Sequence, residues 1–160
     1  LRLLANRGVN GIDGMVSSAL GAAAALGRPT VLWCGDLALL HDVSGLLAGT
    51  MQDADLTIVV SNDDGGGIFE YLPAARTLPR PVFERMFAVP HGLDLCALAR
   101  GLGWQAARVE SAAAFSDGLT RALAGGRHVI EVPVDRAANT AFHGTVNATV
   151  SARLSQEWSA

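Results

Sequence analysis

The sequence predicts an α/β domain: a doubly wound, mainly parallel sheet with helices on both faces. Short apolar runs rich in β-branched residues recur at 30–35, 56–61, 104–109 and 128–134. Stretches with apolar residues at helical spacing lie between them, and this alternation specifies parallel βαβ units. The chain is 50% hydrophobic and 17% charged over 160 residues, which suits one domain with a substantial core.

In chain order, residues 1–5 read as the tail of a strand, and "NRGVNGIDG" (6–14) as a glycine-rich turn. "MVSSALGAAAALG" (15–27) reads as a buried helix closed by Gly27, with Pro29 beyond it. "TVLWCG" (30–35) is a short strand expected to be buried on both faces. Residues 36–51 carry helical spacing, and "LTIVVS" (56–61) is the next buried strand. Residues 70–92, with Pro73, Pro79, Pro81 and Pro90, read as a long irregular connection, which compact domains keep mainly where it is functional. A short helix (94–103), a strand (104–109), a helix capped by Ser111 (111–126) and a strand (128–134) follow. The polar C-terminal tail is expected to be helical in part.

Composition removes several function classes. A net charge of −3 offers no basic footprint for nucleic acid. No window supplies the run of roughly 20 apolar residues that a membrane span needs. Cys34 and Cys96 form no metal-like pair, and a buried, reduced Cys34 fits a cytoplasmic protein. The chain opens at Leu1-Arg2 without an initiator Met, and residues 1–160 read as a single C-terminal domain of a longer protein.

In doubly wound sheets, ligands bind at the carboxyl ends of strands. Two strands here end in suggestive chemistry: Gly35-Asp36 and Asn62-Asp63-Asp64-Gly65. Taken singly, Asp36 is a helix N-cap worth about 1 kcal/mol, and Asp63 and Asp64 are turn residues. Taken together, the acids converge on one point. Two carboxylates with a glycine carbonyl nearby are hard oxygen ligands suited to Mg²⁺. The glycines let backbone approach a ligand closely, and the helix after Asp36 offers its N-terminus to an anion. These parts describe a metal–diphosphate site without naming the diphosphate.

"GDL" at 35–37 followed by "SNDDGGGIF" at 61–69 resembles the cofactor motif of thiamine-diphosphate-dependent enzymes. In that family the metal ligands are a motif Asp, a side chain 27 positions later and a carbonyl two further on, which here are Asp36, Asp63 and Gly65. The sequence departs twice: Leu37 replaces the usual Gly, and Asp63 the usual second Asn. The added charge of Asp63 favours the metal and opposes the diphosphate.

"NRGVNGIDG", "GDLALLHD" and "NDDGGGIFEYLP" narrow the resemblance to the menaquinone-pathway branch of the family. The resemblance implies thiamine diphosphate with Mg²⁺, or Mn²⁺ in its place, as cofactors. It further implies a transferase that decarboxylates 2-oxoglutarate and adds the resulting carbanion to isochorismate. Ile12 would be the wedge that bends the cofactor, and Arg7 would face a substrate carboxylate. Ile68, Phe69 and Leu72 would flank the thiazolium, and backbone around Gly35, Leu37, Ala38 and Gly66 would hold the diphosphate. The family's activating glutamate has no match here. It would come from a missing domain of the partner subunit in a homodimer or homotetramer, and this piece alone would be inactive.

Two alternatives stand beside this reading: another 2-oxo acid decarboxylase or acetolactate-synthase-like enzyme, and a non-catalytic α/β phosphate-binding domain. His41, His91, His128 and His143 show no metal spacing and read as structural or exposed. Glu110 and Glu131 have no evident partner. Asp64 either faces solvent or braces the loop through backbone N–H groups.

Overall fold

The computed structural model describes residues 1–6 and 8–158. Strands β1 (Thr30–Gly35), β2 (Leu56–Asn62), β3 (Gln105–Arg108) and β4 (Arg127–Pro133) form one parallel sheet in the order β1-β2-β4-β3. The first strand pair runs from Thr30↔Leu56 to Gly35↔Ser61, so the two motif-bearing ends emerge side by side.

Helices α1 (Met15–Leu26), α2 (Asp36–His41), α3 (Ser44–Gly49) and α6 (Leu95–Gly101) cover one face. Their apolar residues, among them Val16, Leu20, Leu39, Leu46 and Leu95, pack on Leu56, Ile58 and Val60. Each fully buried aliphatic side chain contributes about 1.5–3 kcal/mol. Trp104 fills the space beside Gly49 and donates its Nε1 to the Leu46 carbonyl at 2.8 Å, which pairs the polar end of a buried indole. Helix α7 (Ala112–Ala122) packs on the opposite face, over Val109 and Ile130. The expected doubly wound architecture is therefore present. Helices change faces where the chain, having passed from β2 to the outermost β3, turns back to β4, as right-handed crossovers require.

Several local expectations are corrected. Residues 1–5 form no strand, and Leu1, Leu3 and Leu4 are exposed. Strand β1 is buried on one face only; Val31 and Trp33 point outward from the sheet edge, Trp33 being 76% exposed. α7 leaves that part of the second face open as a groove of about 670 Å³ lined by Trp33, Val59, Phe115 and Val132. α1 is half-buried, with Val16, Leu20 and Ala23 turned inward.

Residues 36–51 form two helices because Asp42 leaves the helical path between them. Its carboxylate accepts from the Ser17 N–H at 2.6 Å and the Ser17 Oγ at 2.9 Å. It thereby caps α1, whose own N-cap, Gly14, has no side chain to do so.

The proline-rich connection is a string of tight turns: a 3₁₀ turn (Gly67–Tyr71), α4 (Ala74–Thr77), α5 (Arg80–Phe83) and a π turn (Glu84–Ala88). Prolines at helix starts, where no N–H is required, break the stretch into single turns. The C-terminal tail is one 23-residue helix, α8 (Arg136–Trp158), with no buried residue. No helix among the described residues is long and apolar enough to cross a membrane.

Candidate metal and diphosphate site

Asp36 begins α2 immediately after β1 and is 2% exposed. Its Oδ1 accepts from the Leu37 N–H at 2.6 Å. Its Oδ2 accepts from the Gly65 N–H at 2.8 Å and lies 3.2 Å from His91 Nε2. The Gly65 bond joins the ends of β1 and β2 across the point where the motif acids were expected to meet.

Asp63 lies next to this pair. Burial pushes its carboxyl above the ordinary aspartate value, and the charge of Asp36 pushes it further; Arg136 and the Gly67 N–H act in the opposite direction. A carboxylate whose ionisation is made costly by burial and by a neighbouring carboxylate belongs to an acceptor set that a divalent cation would relieve. One lone pair on Asp36 Oδ1 remains after its bond from Leu37. Oxygen donors alone, hard and anionic, suit Mg²⁺, so the residues present fit the metal.

The turn between them is held from two sides. Arg136 donates to the carbonyl of Asp63 through Nε (3.3 Å) and Nη2 (3.1 Å), and to that of Asp64 through Nη2 (2.6 Å). The same guanidinium reaches Glu84 at 3.1 Å and Glu70 at 3.7 Å. Arg80 in turn bonds Glu70 in a fork at 2.7 and 3.0 Å, which holds the Glu70 carboxyl below its usual range. On the other side the Gly66 N–H donates to the Ala88 carbonyl at 2.7 Å.

These contacts explain the glycines more directly than a ligand does. Gly65 has φ +128, and a Cβ there would strike the Ala88 carbonyl. At Gly66 it would meet the Phe69 ring and the Phe87 carbonyl, and at Gly67 the Asp63 carboxylate. The triplet is fixed by close packing inside the chain.

The remaining predicted residues divide. Gly35 faces open space and leaves the entry to α2 uncovered. The N–H groups of Leu37 and Gly66 are engaged by the Asp36 carboxylate and the Ala88 carbonyl, while Ala38 lies in the first turn of α2. Ile12, Ile68, Phe69 and Leu72 are all surface residues, 38%, 74%, 37% and 40% exposed, and none belongs to the hydrophobic core. Phe69 packs edge-on against Phe87 at 6.1 Å. Arg7 lies outside the described residues.

Sequence reasoning passed over three functional-looking residues. His91 was read as ordinary yet contacts Asp36. Arg136 grips the Asp63-Asp64 turn through its carbonyls. Glu131, taken as partnerless, accepts from Asn62 Nδ2 at 2.9 Å, from Arg108 at 3.2 Å and from the Cys96 thiol at 3.3 Å. Of the two readings offered for Asp64, bracing the loop is the one present, its Oδ1 accepting from the N–H groups of His91 (3.0 Å) and Gly92 (2.8 Å). Only Asp64 carried a signal, a second acid with no assigned ligand. Asp94, Cys96 and Glu131 also cluster. There the thiol is pushed up to about 11 by burial and by Glu131, and Arg108 already balances the carboxylate, so the cluster is a poor cation site.

Comparison with known proteins agrees with this geometry. Residues 2–132 match the family model described as thiamine pyrophosphate enzyme, C-terminal TPP binding domain. A 2-succinyl-5-enolpyruvyl-6-hydroxy-3-cyclohexene-1-carboxylate synthase from Myxococcus xanthus is 49% identical over 98% of this chain and 26% of its own length. A protein of the same name from Rhodococcus erythropolis is 51% identical over 92% of this chain and 28% of its own length. The chain thus spans about a quarter of the length of these relatives. Among solved structures, benzoylformate decarboxylase from Polynucleobacter necessarius superposes with a TM-score of 0.66 at 23% identity, over 80% of this chain and 24% of that one. A thiamine diphosphate-dependent 4-hydroxybenzoylformate decarboxylase of Rhodococcus jostii gives 0.61 at 22% identity, over 76% and 22%. At such identities the two structures speak for the fold. Because the family model covers most of the chain and its motif acids meet at the carboxyl ends of β1 and β2, the chain belongs to the C-terminal TPP-binding domain family of thiamine pyrophosphate enzymes.

Proposed function

We propose that this chain is the diphosphate- and Mg²⁺-binding domain of a 2-succinyl-5-enolpyruvyl-6-hydroxy-3-cyclohexene-1-carboxylate synthase, acting on 2-oxoglutarate and isochorismate. The observation that carries the reading is the likeness to synthases of that name along nearly the whole chain. The paired acids Asp36 and Asp63 on adjacent strand ends support it physically.

Bound thiamine diphosphate supplies the electron sink that decarboxylation of a 2-oxo acid needs. The chain's own residues bind and shield it. Asp36 and Asp63 would hold Mg²⁺, or Mn²⁺, through side chains, and Gly65 through its carbonyl. The open approach at Gly35 and the first turn of α2, which carries Ala38, would receive the diphosphate. Ile12 would press on the cofactor as a wedge, and Ile68, Phe69 and Leu72 would keep water from the reacting end. Their exposure in the isolated domain supports that role, since a surface awaiting a cofactor and a facing domain is apolar and uncovered. Arg7 would pair with a substrate carboxylate. The activating glutamate would come from another domain of the partner subunit, which makes the working unit at least a homodimer.

The test is CO₂ release from 2-oxoglutarate by the full-length protein, with thiamine diphosphate and Mg²⁺, in the presence and absence of isochorismate. Release that requires both cofactors and yields an isochorismate adduct supports the proposal. Turnover of pyruvate but not 2-oxoglutarate would replace it with a different 2-oxo acid enzyme.

A further inference from the structure

We infer that Asp64 and His91 form a positioning unit for Asp36, fixing the carboxylate that grips the metal. Five contacts carry this. Asp64 adopts a left-handed backbone (φ 58), rare for a residue with a side chain, and its N–H is held by Asn62 Oδ1 at 3.0 Å. From there its Oδ1 receives the N–H groups of His91 and Gly92 at 3.0 and 2.8 Å, which pins the end of the proline-rich connection to the metal turn. The Leu93 N–H donates to His91 Nδ1 at 3.0 Å. A neutral imidazole that accepts at Nδ1 carries its hydrogen on Nε2. The Nε2–H therefore donates to Asp36 Oδ2 at 3.2 Å, and both groups are nearly buried, at 10% and 3% side-chain exposure.

Asp36 Oδ2 is thus filled by the Gly65 and His91 donors, while Oδ1 has only Leu37. Each oxygen accepts about two bonds, so the arrangement turns Oδ1 toward a cation and holds Oδ2 to the protein. Outer partners of this kind orient a metal ligand and are worth roughly 10–100-fold in metal affinity. The unit also gives the second acid of the motif its purpose: Asp63 faces the metal, and Asp64 faces the loop that carries His91.

The inference rests on Asp36 being a metal ligand, and the experiment separates the two claims. Mg²⁺ is titrated calorimetrically into the full-length apo-enzyme at fixed thiamine diphosphate, alongside thermal unfolding without metal. His91→Ala is expected to weaken Mg²⁺ by about 10-fold or more, with the metal-free unfolding temperature little changed. His91→Gln, which restores an N–H donor, should recover most of that loss. Asp64→Ala should weaken Mg²⁺ in the same direction, Asp64→Asn less, because its side-chain oxygen still accepts. Adding Asp64→Ala to His91→Ala should cost little more, since both act along one path. Mg²⁺ affinity within twofold of wild type in His91→Ala, while Asp36→Ala abolishes binding, would overturn the positioning role alone. Unchanged Mg²⁺ binding in Asp36→Ala would overturn the metal-ligand reading and this inference with it.

Discussion

The Nη2 of Arg136 donates to the carbonyl oxygen of Asp64 at 2.6 Å, so the first turn of α8 holds the turn after β2 although 72 residues separate the two. The same side chain takes the Asp63 carbonyl and reaches Glu84 and Glu70. A planar fork with five donors can serve these acceptors together, and an ammonium cannot.

Arg136→Ala should therefore destabilise the domain by about 2–4 kcal/mol, since it takes the side-chain donor from the Asp63 and Asp64 carbonyls and leaves Glu70 and Glu84 to share Arg80 alone. Arg136→Lys should recover less than half of that loss. Urea unfolding of the full-length protein and both variants measures this; a lysine variant as stable as wild type would show that charge alone suffices.

Gly65→Ala should cost about 3 kcal/mol or more, combining an unfavourable φ with a clash against the Ala88 carbonyl. The local sign is loss of hydrogen-exchange protection at the Gly66 N–H, which donates to that carbonyl. Retained protection at Gly66 with only a global loss would count against the steric account.

Asp63 gives the metal-free protein a pH dependence. Its folded pKa is raised above the unfolded value, by burial first and Asp36 second. The folded state therefore holds its proton more tightly, and the stability this brings is present below the ordinary aspartate range and lost as pH rises through the raised value. Asp63→Asn should stabilise the metal-free protein at neutral pH and flatten that part of the profile. Mg²⁺, which needs the ionised carboxylate, should bind wild type more tightly as pH rises through the same window. Unfolding curves and Mg²⁺ titrations across that range check both.

Neither cysteine should react in the folded protein. Burial, with Asp36 adding to it, pushes the Cys34 thiol up to about 12, and burial with Glu131 pushes Cys96 up to about 11. A thiol-specific reagent at pH 8 should label neither side chain until urea is added, because the thiolate is the reactive form. Rapid labelling of Cys96 in the native state would mean that the Glu131 cluster opens.

Much of the sheet was legible in the sequence, as was the side-by-side emergence of the β1 and β2 ends. Strand β2 announced itself as an unbroken β-branched run, and the Ser111 cap is present, accepting from the Ala114 N–H at 3.1 Å. The family resemblance singled out Asp36 and Asp63, and the structure places them at the ends of the adjacent strands β1 and β2. What stayed hidden is non-local. His91 meets Asp36 from 55 residues away through a connection whose prolines advertise irregularity but not direction. Glu131 looked alone because its partners arrive from β2, β3 and α6. Trp33 and Val31 are apolar whether a strand is central or at an edge, so the sequence of β1 could not report which of its faces lies open.

That open strand has a practical consequence for anyone handling the domain by itself. β1 presents an unpaired edge among the described residues, beside an apolar groove with Trp33 at its rim. Such an edge templates pairing with another chain, and such a groove favours contact between molecules. The isolated piece should therefore self-associate as it is concentrated. Its melting temperature would then shift with dilution, so light scattering over a concentration series belongs before any measurement of its stability.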